Sequence, residues 1–349
     1  MKLTLQNFGL FLVAIFFFLQ LSAQKNEMVQ VVKSETANKV DVFIGNKLFT
    51  SFLYPDSLEK PVLYPVYASD ETMVTRGFPI NLLPGESNDH PHHVGIWFTY
   101  ENVNGLDFWN NSYAIPKEKK YLYGWIKTDS VFTISGNKTG TIFYHANWVN
   151  QKNNILLEET TTLEFSGTEH LRIIDRTTVL KADTTVYLND AKDGLYGIRL
   201  AHSLQIPYNQ DQEFKDDKGN ITIIKGVKDT IANGNYITSE GKKGDDAWST
   251  RGRWCKVYGK IGKDSISIAV IDYPKNPNYP TFWHARGYGL FAANPLGEKI
   301  FTNGKSSKNL HLDKDESVTF RYRIVIDSDL RTLSEKELDR LADDFAKMK

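Results

Sequence analysis

Residues 318–326 read VTFRYRIVI, and this stretch decides the fold class. Apolar side chains stand at every second position, at Val318, Phe320, Tyr322, Ile324 and Ile326. Successive side chains of a β-strand point to opposite faces of its sheet, so the alternation predicts a strand with one buried face. The same period recurs at 40–44, before a Gly45-Asn46 turn, and at 266–270, after Gly262-Lys263.

Further strands are predicted along the chain, separated by turn signals such as Ser135-Gly136-Asn137. Their segments are 62–67, 131–135, 141–148, 155–165, 171–180, 197–206 and 221–225. Helical spacing is convincing only at the C-terminus, where Ser334 and Glu337 form a capping box before Leu338, Leu341, Ala342 and Phe345. The sequence therefore predicts an all-β protein, a large antiparallel β-sandwich with a short C-terminal helix on its flank.

The composition indicates an electrically neutral domain without internal cross-links. Lysine plus arginine and aspartate plus glutamate both number 42. This balance argues against a nucleic-acid partner or an anionic membrane surface. The single cysteine, Cys255, cannot form an internal disulfide, and we expect it to be buried as a small apolar side chain. No linker or internal repeat divides the chain, so we predict one domain over residues 25–349.

Residues 1–24 have the features of a secretory signal peptide. Lys2 precedes an apolar run over residues 8–21, and the small pair Ser22-Ala23 precedes Gln24. A retained membrane anchor would need about 18 to 20 unbroken apolar residues, and this run is shorter. We therefore predict cleavage near Ala23 or Gln24, a periplasmic or secreted mature protein, and no membrane association after cleavage.

Residues 89–109, DHPHHVGIWFTYENVNGLDFW, hold the densest group of chemically useful side chains. The group combines imidazoles, indoles and a carboxylate, at His90, His92, His93, Trp97, Trp109 and Asp107. Imidazoles titrate near neutral pH and can transfer protons, while indole faces offer flat apolar surface. The mixture is typical of a pocket for a polar ligand. The Asn104-Gly105 pair predicts a turn within the stretch.

Two further blocks carry similar side chains. In residues 192–202, Asp193 lies in a charged turn before a predicted strand, whose alternation places His202 on the face of Tyr196 and Arg199 on the other face. A core histidine bonded to a backbone carbonyl is an equally good interpretation of His202. Residues 281–295 form the other block, which contains Trp283, His284 and Asn294.

A pair of arginines, Arg251 and Arg253, lies between Trp248 and Trp254. Guanidinium groups beside indoles can stack on them and present fixed hydrogen-bond forks, so Arg253 is a candidate to hold a ligand hydroxyl or carboxylate. The alternative is a solvent-facing cation–π pair. We predict that the three dense blocks converge on one pocket, to which Arg253 contributes.

Several kinds of site are not supported by the sequence. It contains no G-x-G-x-x-G after a strand, no Walker loop, no H-E-x-x-H and no G-x-S-x-G, so no nucleotide cofactor or common hydrolase triad is indicated. Two ligands for a metal would be available if His90 and His92 shared a strand face. Because Pro91 interrupts that strand, we expect neither a metal nor another cofactor.

Four blocks carry a resemblance to a known family: D-H-P-H-H-x-G-I-W-F with N-G-x-D-F-W at 89–109, K-D-G-x-x-G-I-R-L-A at 192–201, R-G-R-W at 251–254 and Y-G-L-F-A-A-N-P at 288–295. They resemble the bacterial family labelled methane oxygenase PmoA-like, which has no established function. The resemblance covers nearly all the mature chain. A membrane subunit of a methane monooxygenase needs several spanning helices, and this sequence has none after its leader, so the label does not indicate the activity.

The architecture that this resemblance implies is similar to the galactose-mutarotase β-supersandwich, found in aldose epimerases and in carbohydrate-binding or carbohydrate-cleaving domains. Mutarotases use two histidines and a late glutamate as acid and base around the sugar ring. Here His92 or His93 and His202 correspond to the histidines. Asn294-Pro295 stands where the glutamate is wanted, and Glu298 lies outside the matching position, which argues against ordinary mutarotation.

These observations lead to one functional prediction, an exported protein that acts on a carbohydrate by acid–base chemistry. The predicted proton-transfer groups are His92, His93 and His202, with Asp193 or Asp107 as the carboxylate partner. The predicted ligand-binding residues are His90, Trp97, Trp109, Arg199, Arg253, Trp283, His284 and Asn294. Epimerisation, hydrolysis and elimination of a glycoside all remain open. The alternative is a non-catalytic carbohydrate-binding module, in which the histidines only form hydrogen bonds to the sugar.

Overall fold

The computed structural model describes residues 26–208, 211–215, 221–224 and 229–348, so the predicted signal peptide lies outside the described part. The strands are β1 Val29–Lys33, β2 Lys39–Ile44, β3 Lys47–Leu53, β4 Val62–Val66, β5 Ile96–Tyr100, β6 Trp125–Ile134, β7 Gly140–Val149, β8 Ile155–Gly167, β9 Leu171–Ala182, β10 Val186–Leu188, β11 Gly194–Arg199, β12 Gln212–Lys215, β13 Ile221–Ile224, β14 Asn235–Thr238, β15 Trp254–Ile261, β16 Asp264–Asp272, β17 Phe282–Ala285, β18 Leu290–Asn294, β19 Leu310–Leu312 and β20 Ser317–Asp329. The α-helices are α1 Glu298–Phe301 and α2 Glu335–Ala346. Short 3-10 helices span Lys117–Leu122, His202–Leu204 and Gly244–Ala247.

Two antiparallel eight-stranded sheets form the body of the protein. The first has the strand order β1-β2-β3-β4-β5-β11-β18-β17, and the second has the order β14-β15-β16-β20-β9-β8-β7-β6. Their inner faces meet in one apolar core, where the ring of Phe98 on β5 lies 6.4 Å from Trp148 on β7 and 6.0 Å from Phe320 on β20. The predicted antiparallel β-sandwich is confirmed.

Most predicted elements appear close to their expected positions. The alternating residues of 318–326 lie on β20, and its burial alternates toward the core at Phe320 and Tyr322. At the Gly45-Asn46 turn both residues have positive φ, as a tight hairpin requires. One prediction is wrong. The strand expected over 197–206 ends at Arg199, and the chain then forms the 3-10 helix His202–Leu204.

The C-terminal helix α2 begins after Ser334, whose hydroxyl accepts from the Glu337 backbone N–H while the Glu337 carboxylate accepts from the Ser334 N–H. This confirms the predicted capping box. Leu338, Ala342 and Phe345 of α2 pack against the outer face of the second sheet. Cys255 is buried, as expected. Within the described ranges, no helix is long and apolar enough to span a membrane.

The outer face of the first sheet carries the candidate site. Strand pairing sets Val62, Trp97, Gly197, Ala292 and His284 in one row across β4, β5, β11, β18 and β17. Opposed residues on neighbouring strands share a face, and this face points away from the second sheet. A Cβ atom on Gly197 would lie 2.8 Å from the Trp97 ring, so only glycine lets the indole lie flat on the sheet here.

Candidate functional site

A column of four rings rises from the outer face of the first sheet. Trp97 on β5 is the lowest ring, and His93, His90 and Tyr288 follow it, with centroid separations of 5.1, 4.9 and 5.3 Å. Their planes are nearly parallel, at 16°, 1° and 8° to one another. Trp109 packs edge-on against Trp97 at 5.1 Å. The column connects the sheet to the half-buried imidazole of His90, which keeps 20% of its side-chain surface exposed.

Asp89 is the electrostatic centre of the site. Its carboxylate accepts hydrogen bonds from Arg76 Nη1 at 2.8 Å and from Arg199 Nη2 at 2.9 Å, and it also accepts from His90 Nδ1. Burial by itself would raise the pKa of Asp89, but Arg199, the bond from His90 and the charge of Arg76 outweigh it and hold the pKa far below its usual range. Asp89 is therefore a fixed anion.

Arg76 fixes the backbone that carries the histidines. Its guanidinium is 1% exposed and donates to the carbonyl oxygens of Asp89 and His90 at 2.8 and 2.9 Å. His90 has a φ of 45°, in the left-handed region that costs a non-glycine residue about 1 kcal/mol or more. The carbonyl bonds from Arg76 and the side-chain bond to Asp89 hold His90 in this conformation.

The surroundings of His90 determine its charge and its tautomer. Burial lowers the pKa of His90, and Arg199 and Arg76 add to this effect, while the bond and the charge of Asp89 oppose it without reversing it. The imidazole is therefore neutral at neutral pH. Because Asp89 accepts the proton of Nδ1, the lone pair of the neutral ring lies on Nε2. A histidine oriented by a carboxylate in this way is equipped to act as a general base.

His92 and His93 lie beside His90, and His93 is more enclosed than His90. His93 is 2% exposed, and its Nδ1 lies 3.3 Å from Arg199 Nη1, an arrangement in which Nδ1 accepts. Burial holds the pKa of both histidines well below the usual value, and in His92 the charge of Lys60 contributes. The His92 ring lies edge-on to His93 at 4.2 Å. Both histidines thus support the position of His90.

A second imidazole–carboxylate pair lies on β17 and on the turn before β11. His284 Nδ1 is 3.5 Å from Asp193 Oδ1, a distance too long for a good hydrogen bond. On its other side, His284 Nε2 accepts from Arg286 Nε at 3.3 Å. Burial, followed by the charges of Arg286 and Lys192, holds the pKa of His284 well below its usual value. His284 is therefore a neutral ring between a carboxylate and a guanidinium.

The β17–β18 turn connects the two imidazole–carboxylate pairs. It is closed by a bond from the Gly289 backbone N–H to the Arg286 carbonyl at 2.9 Å. Tyr288 in this turn stacks on His90 and also lies 4.8 Å beneath the Arg199 guanidinium. Its pKa is raised by burial, and among the charges that act on it are those of Arg199 and Arg286. Tyr288 therefore lies between the two pairs.

Several predicted residues are part of this assembly, although with different contacts from those expected. Trp97 and Trp109 are 1% and 0% exposed, so they support the column from below and present no open face to a ligand. Asn294 donates to the carbonyl oxygens of Ala191 and Lys192 at 2.9 and 2.8 Å, which positions the turn that contains Asp193. Asp107 accepts from the backbone and side chain of Asn110, so it shapes the turn around Trp109.

Three predicted residues lie elsewhere. His202, half-buried on its 3-10 helix, pairs with Asp229 at 2.7 Å and does not continue the face of Tyr196, because β11 has already ended. Trp283 points into the core between the sheets, on the opposite side of β17 from His284, as alternation requires. Arg253 pairs with Asp343 of α2 at the second sheet, so it anchors the helix.

Sequence reasoning did not assign four residues of the site, Asp89, Arg76, Tyr288 and Arg286. Asp89 directly precedes His90 in the dense stretch, and Tyr288 and Arg286 lie within the block 281–295, so their types and positions were available signals. No sequence signal marks Arg76, which reaches the site only through the fold. Among the described residues, no group of three or more His, Cys, Asp or Glu side chains is arranged to hold a metal ion.

Comparison with known proteins places the chain in a family. Residues 39–343 match the family described as "Family of unknown function (DUF6807)". The chain belongs to DUF6807. This match gives no support to the PmoA-like label that the sequence blocks resemble. No curated protein matches this DUF6807 chain in sequence.

Solved structures resemble the chain only at a low level. One is the GH36 α-galactosidase AgaB from Geobacillus stearothermophilus, with a TM-score of 0.41 and 9% identity over 86% of this chain. The DUF6807 chain spans 41% of the length of that enzyme. Another is a galactose mutarotase related enzyme from Lactobacillus acidophilus, with a TM-score of 0.31 and 9% identity over 86% of this chain and 97% of that chain. Likeness at this level gives no argument about activity.

Proposed function

We propose that this DUF6807 protein is an enzyme that transfers protons on a small carbohydrate, with His90 as the general base and Asp89 as the carboxylate that orients it. The observation that carries the proposal is the Asp89–His90 pair. The carboxylate is held by two buried guanidinium groups, and the imidazole is neutral, half-buried and fixed in an unfavourable backbone conformation. Such strain is typical of functional sites.

The chemistry follows from the tautomer. A hydroxyl or an acidic C–H of the substrate would give its proton to His90 Nε2, and the imidazolium that forms would keep its Nδ1–H bond to Asp89. The carboxylate stays ionised because Arg76 and Arg199 stabilise its charge. The negative charge that develops on the substrate would lie near Arg199 and Arg286, whose positive charges lower the free energy of the transition state.

The substrate class is supported by the chemistry of the site. The unprotonated Nε2 of His90 accepts one hydrogen bond, which a sugar hydroxyl can donate. The half-buried indole of Trp248 lies beside Arg286, and such rings pack against the C–H surface of a sugar ring. The galactose-mutarotase architecture that the sequence blocks imply is found in carbohydrate-active proteins, which points the same way. Export to the periplasm or beyond is part of the proposal, supported by the signal-like sequence of residues 1–24.

The proposal is tested by an NMR screen of the purified mature protein against free sugars, glycosides and oxidised keto-glycosides. We expect anomeric exchange, cleavage or elimination of at least one of them to be faster than the spontaneous reaction. A protein that binds a sugar from this panel and leaves every sugar chemically unchanged would instead be a carbohydrate-binding module.

A further inference from the structure

Arg286 is the one arginine of the site whose charge has no partner carboxylate among the described residues. Arg76 and Arg199 share Asp89, whereas the contacts of Arg286 are the bond from its Nε to His284 Nε2 and a stack on the Trp248 ring at 4.3 Å. The side chain is half-buried. A half-buried cation without a counter-ion costs free energy unless a ligand supplies the opposite charge.

The carboxylates around Arg286 contact other groups. Asp193 is the carboxylate on the far side of His284, and it lies 3.5 Å from Lys192 Nζ. The exposed Asp245 accepts from the Tyr208 hydroxyl, which packs on Gly287. Two further carboxylates belong to the same surroundings: the charge of Glu86 acts on Arg76, and Glu101 accepts from the backbone N–H of Asp193. Arg286 is thus the cation of this group that no described carboxylate contacts, so an anionic group of a ligand is attracted to the β17–β18 turn.

We propose that Arg286 binds a carboxylate of the substrate, so that the carbohydrate is an acidic sugar such as a uronate. The inference rests on the proposed function and specifies its substrate. The Nε–H of Arg286 donates to His284, so the N–H groups of Nη1 and Nη2 can donate to a ligand. Two parallel N–H groups match the two oxygens of a planar carboxylate. Trp248 holds the plane of the guanidinium, so little ordering is needed on binding.

The position of Arg286 connects this contact to the proton transfer. Arg286 and Tyr288 are two residues apart in the same turn, and Tyr288 stacks on His90. A sugar ring that lies over the β17–β18 turn would place a carboxylate toward Arg286 and another part of the ring toward His90 Nε2. The neutral state of His284 is consistent with this arrangement, since Arg286 and Lys192 are among the groups that lower its pKa.

The test compares matched pairs of sugars that differ only in the carboxylate, namely methyl glucuronoside with methyl glucoside, and methyl galacturonoside with methyl galactoside. Affinities are measured by calorimetry for the wild type, Arg286→Gln and the control Arg340→Gln, which removes an exposed arginine of α2. The wild type and the control are expected to prefer one acidic sugar by about 10- to 100-fold, the usual worth of a charged hydrogen-bonded pair. Arg286→Gln is expected to lose the preference, so that its affinity for the acidic sugar falls to that for the neutral sugar.

Three results would overturn the inference. The first is equal affinity for acidic and neutral sugars in the wild type, and the second is an undiminished preference in Arg286→Gln. The third is tighter binding of glucose 6-phosphate than of any uronate, which would make the group a phosphate. Turnover of a neutral sugar, with no preference for the acidic one, refutes the carboxylate contact and leaves the proposed function intact. If no sugar of either kind is bound or changed, both fail. Melting curves confirm that the variants are folded.

Discussion

Replacing Asp89 by asparagine should strongly destabilise the protein. Asp89 balances two buried guanidinium groups, Arg76 at 1% and Arg199 at 0% exposure, and its own side chain is 12% exposed. Asparagine has nearly the same shape but lacks the charge, and its NH₂ group would face donors. Removing one partner of a buried ionic network costs about 3 to 5 kcal/mol. For a chain of this size, that loss lowers the melting temperature on the order of 10 °C.

The assay is urea and thermal unfolding of purified Asp89→Asn, followed by circular dichroism. The control is Asp313→Asn, whose carboxylate is 70% exposed and lies 3.4 Å from His311. The control should change the unfolding free energy by less than about 0.5 kcal/mol, as surface substitutions usually do. If Asp89→Asn costs less than about 1 kcal/mol, the two arginines do not depend on Asp89 for their charge balance, and the electrostatic account of the site is wrong.

Further outcomes are expected at other positions. In nitrogen-15 NMR spectra, His90 should appear neutral and protonated on Nδ1 at pH 6.5, because burial lowers its pKa; an imidazolium at that pH would disprove the assigned state. The Asp89 carboxylate raises the pKa of His90, so replacing Asp89 should move the protonation of His90 to still lower pH. Gly197→Ala should cost about 1 to 3 kcal/mol by overpacking against Trp97, and an unchanged melting temperature would count against the tight ring column. Arg253→Gln should leave sugar binding unchanged. It should lower the melting temperature only slightly, since its partner Asp343 is exposed. A loss of sugar binding in this variant would show that Arg253 contacts the ligand.

The sequence predicted the fold well because its information is local. The alternation in β20 and the capping box of α2 depend on residues within a few positions of one another, and the structure has both. The prediction that β11 continues to residue 206 was wrong because the end of the strand depends on contacts that are distant in sequence. Nothing local marks the end of β11 at Arg199. After that residue the backbone N–H of Ala201 donates to the carbonyl of Val74, which is distant in sequence.

The candidate site was predicted less completely because its partners are distant in sequence. The stretch 89–109 was singled out by its histidines, and His90, His93 and Trp97 do form one column. Which histidine has a carboxylate partner depends on Arg76 and Arg199, which fix Asp89 from two other segments. Arg253 was assigned to the pocket from its neighbouring tryptophans, but its partner is 90 residues away on α2. The roles assigned to individual residues stay predictions.

The most direct test of the central claim compares turnover in His90→Gln with turnover in His145→Gln, a matched change on β7 where the imidazole bonds to Thr160 at 3.0 Å. With a sugar that the wild type converts, His90→Gln should lower turnover by about 10² to 10⁴ and keep affinity within a few fold, as the loss of a general base does. His145→Gln should behave like the wild type. Full turnover in His90→Gln would contradict the claim that His90 transfers the proton.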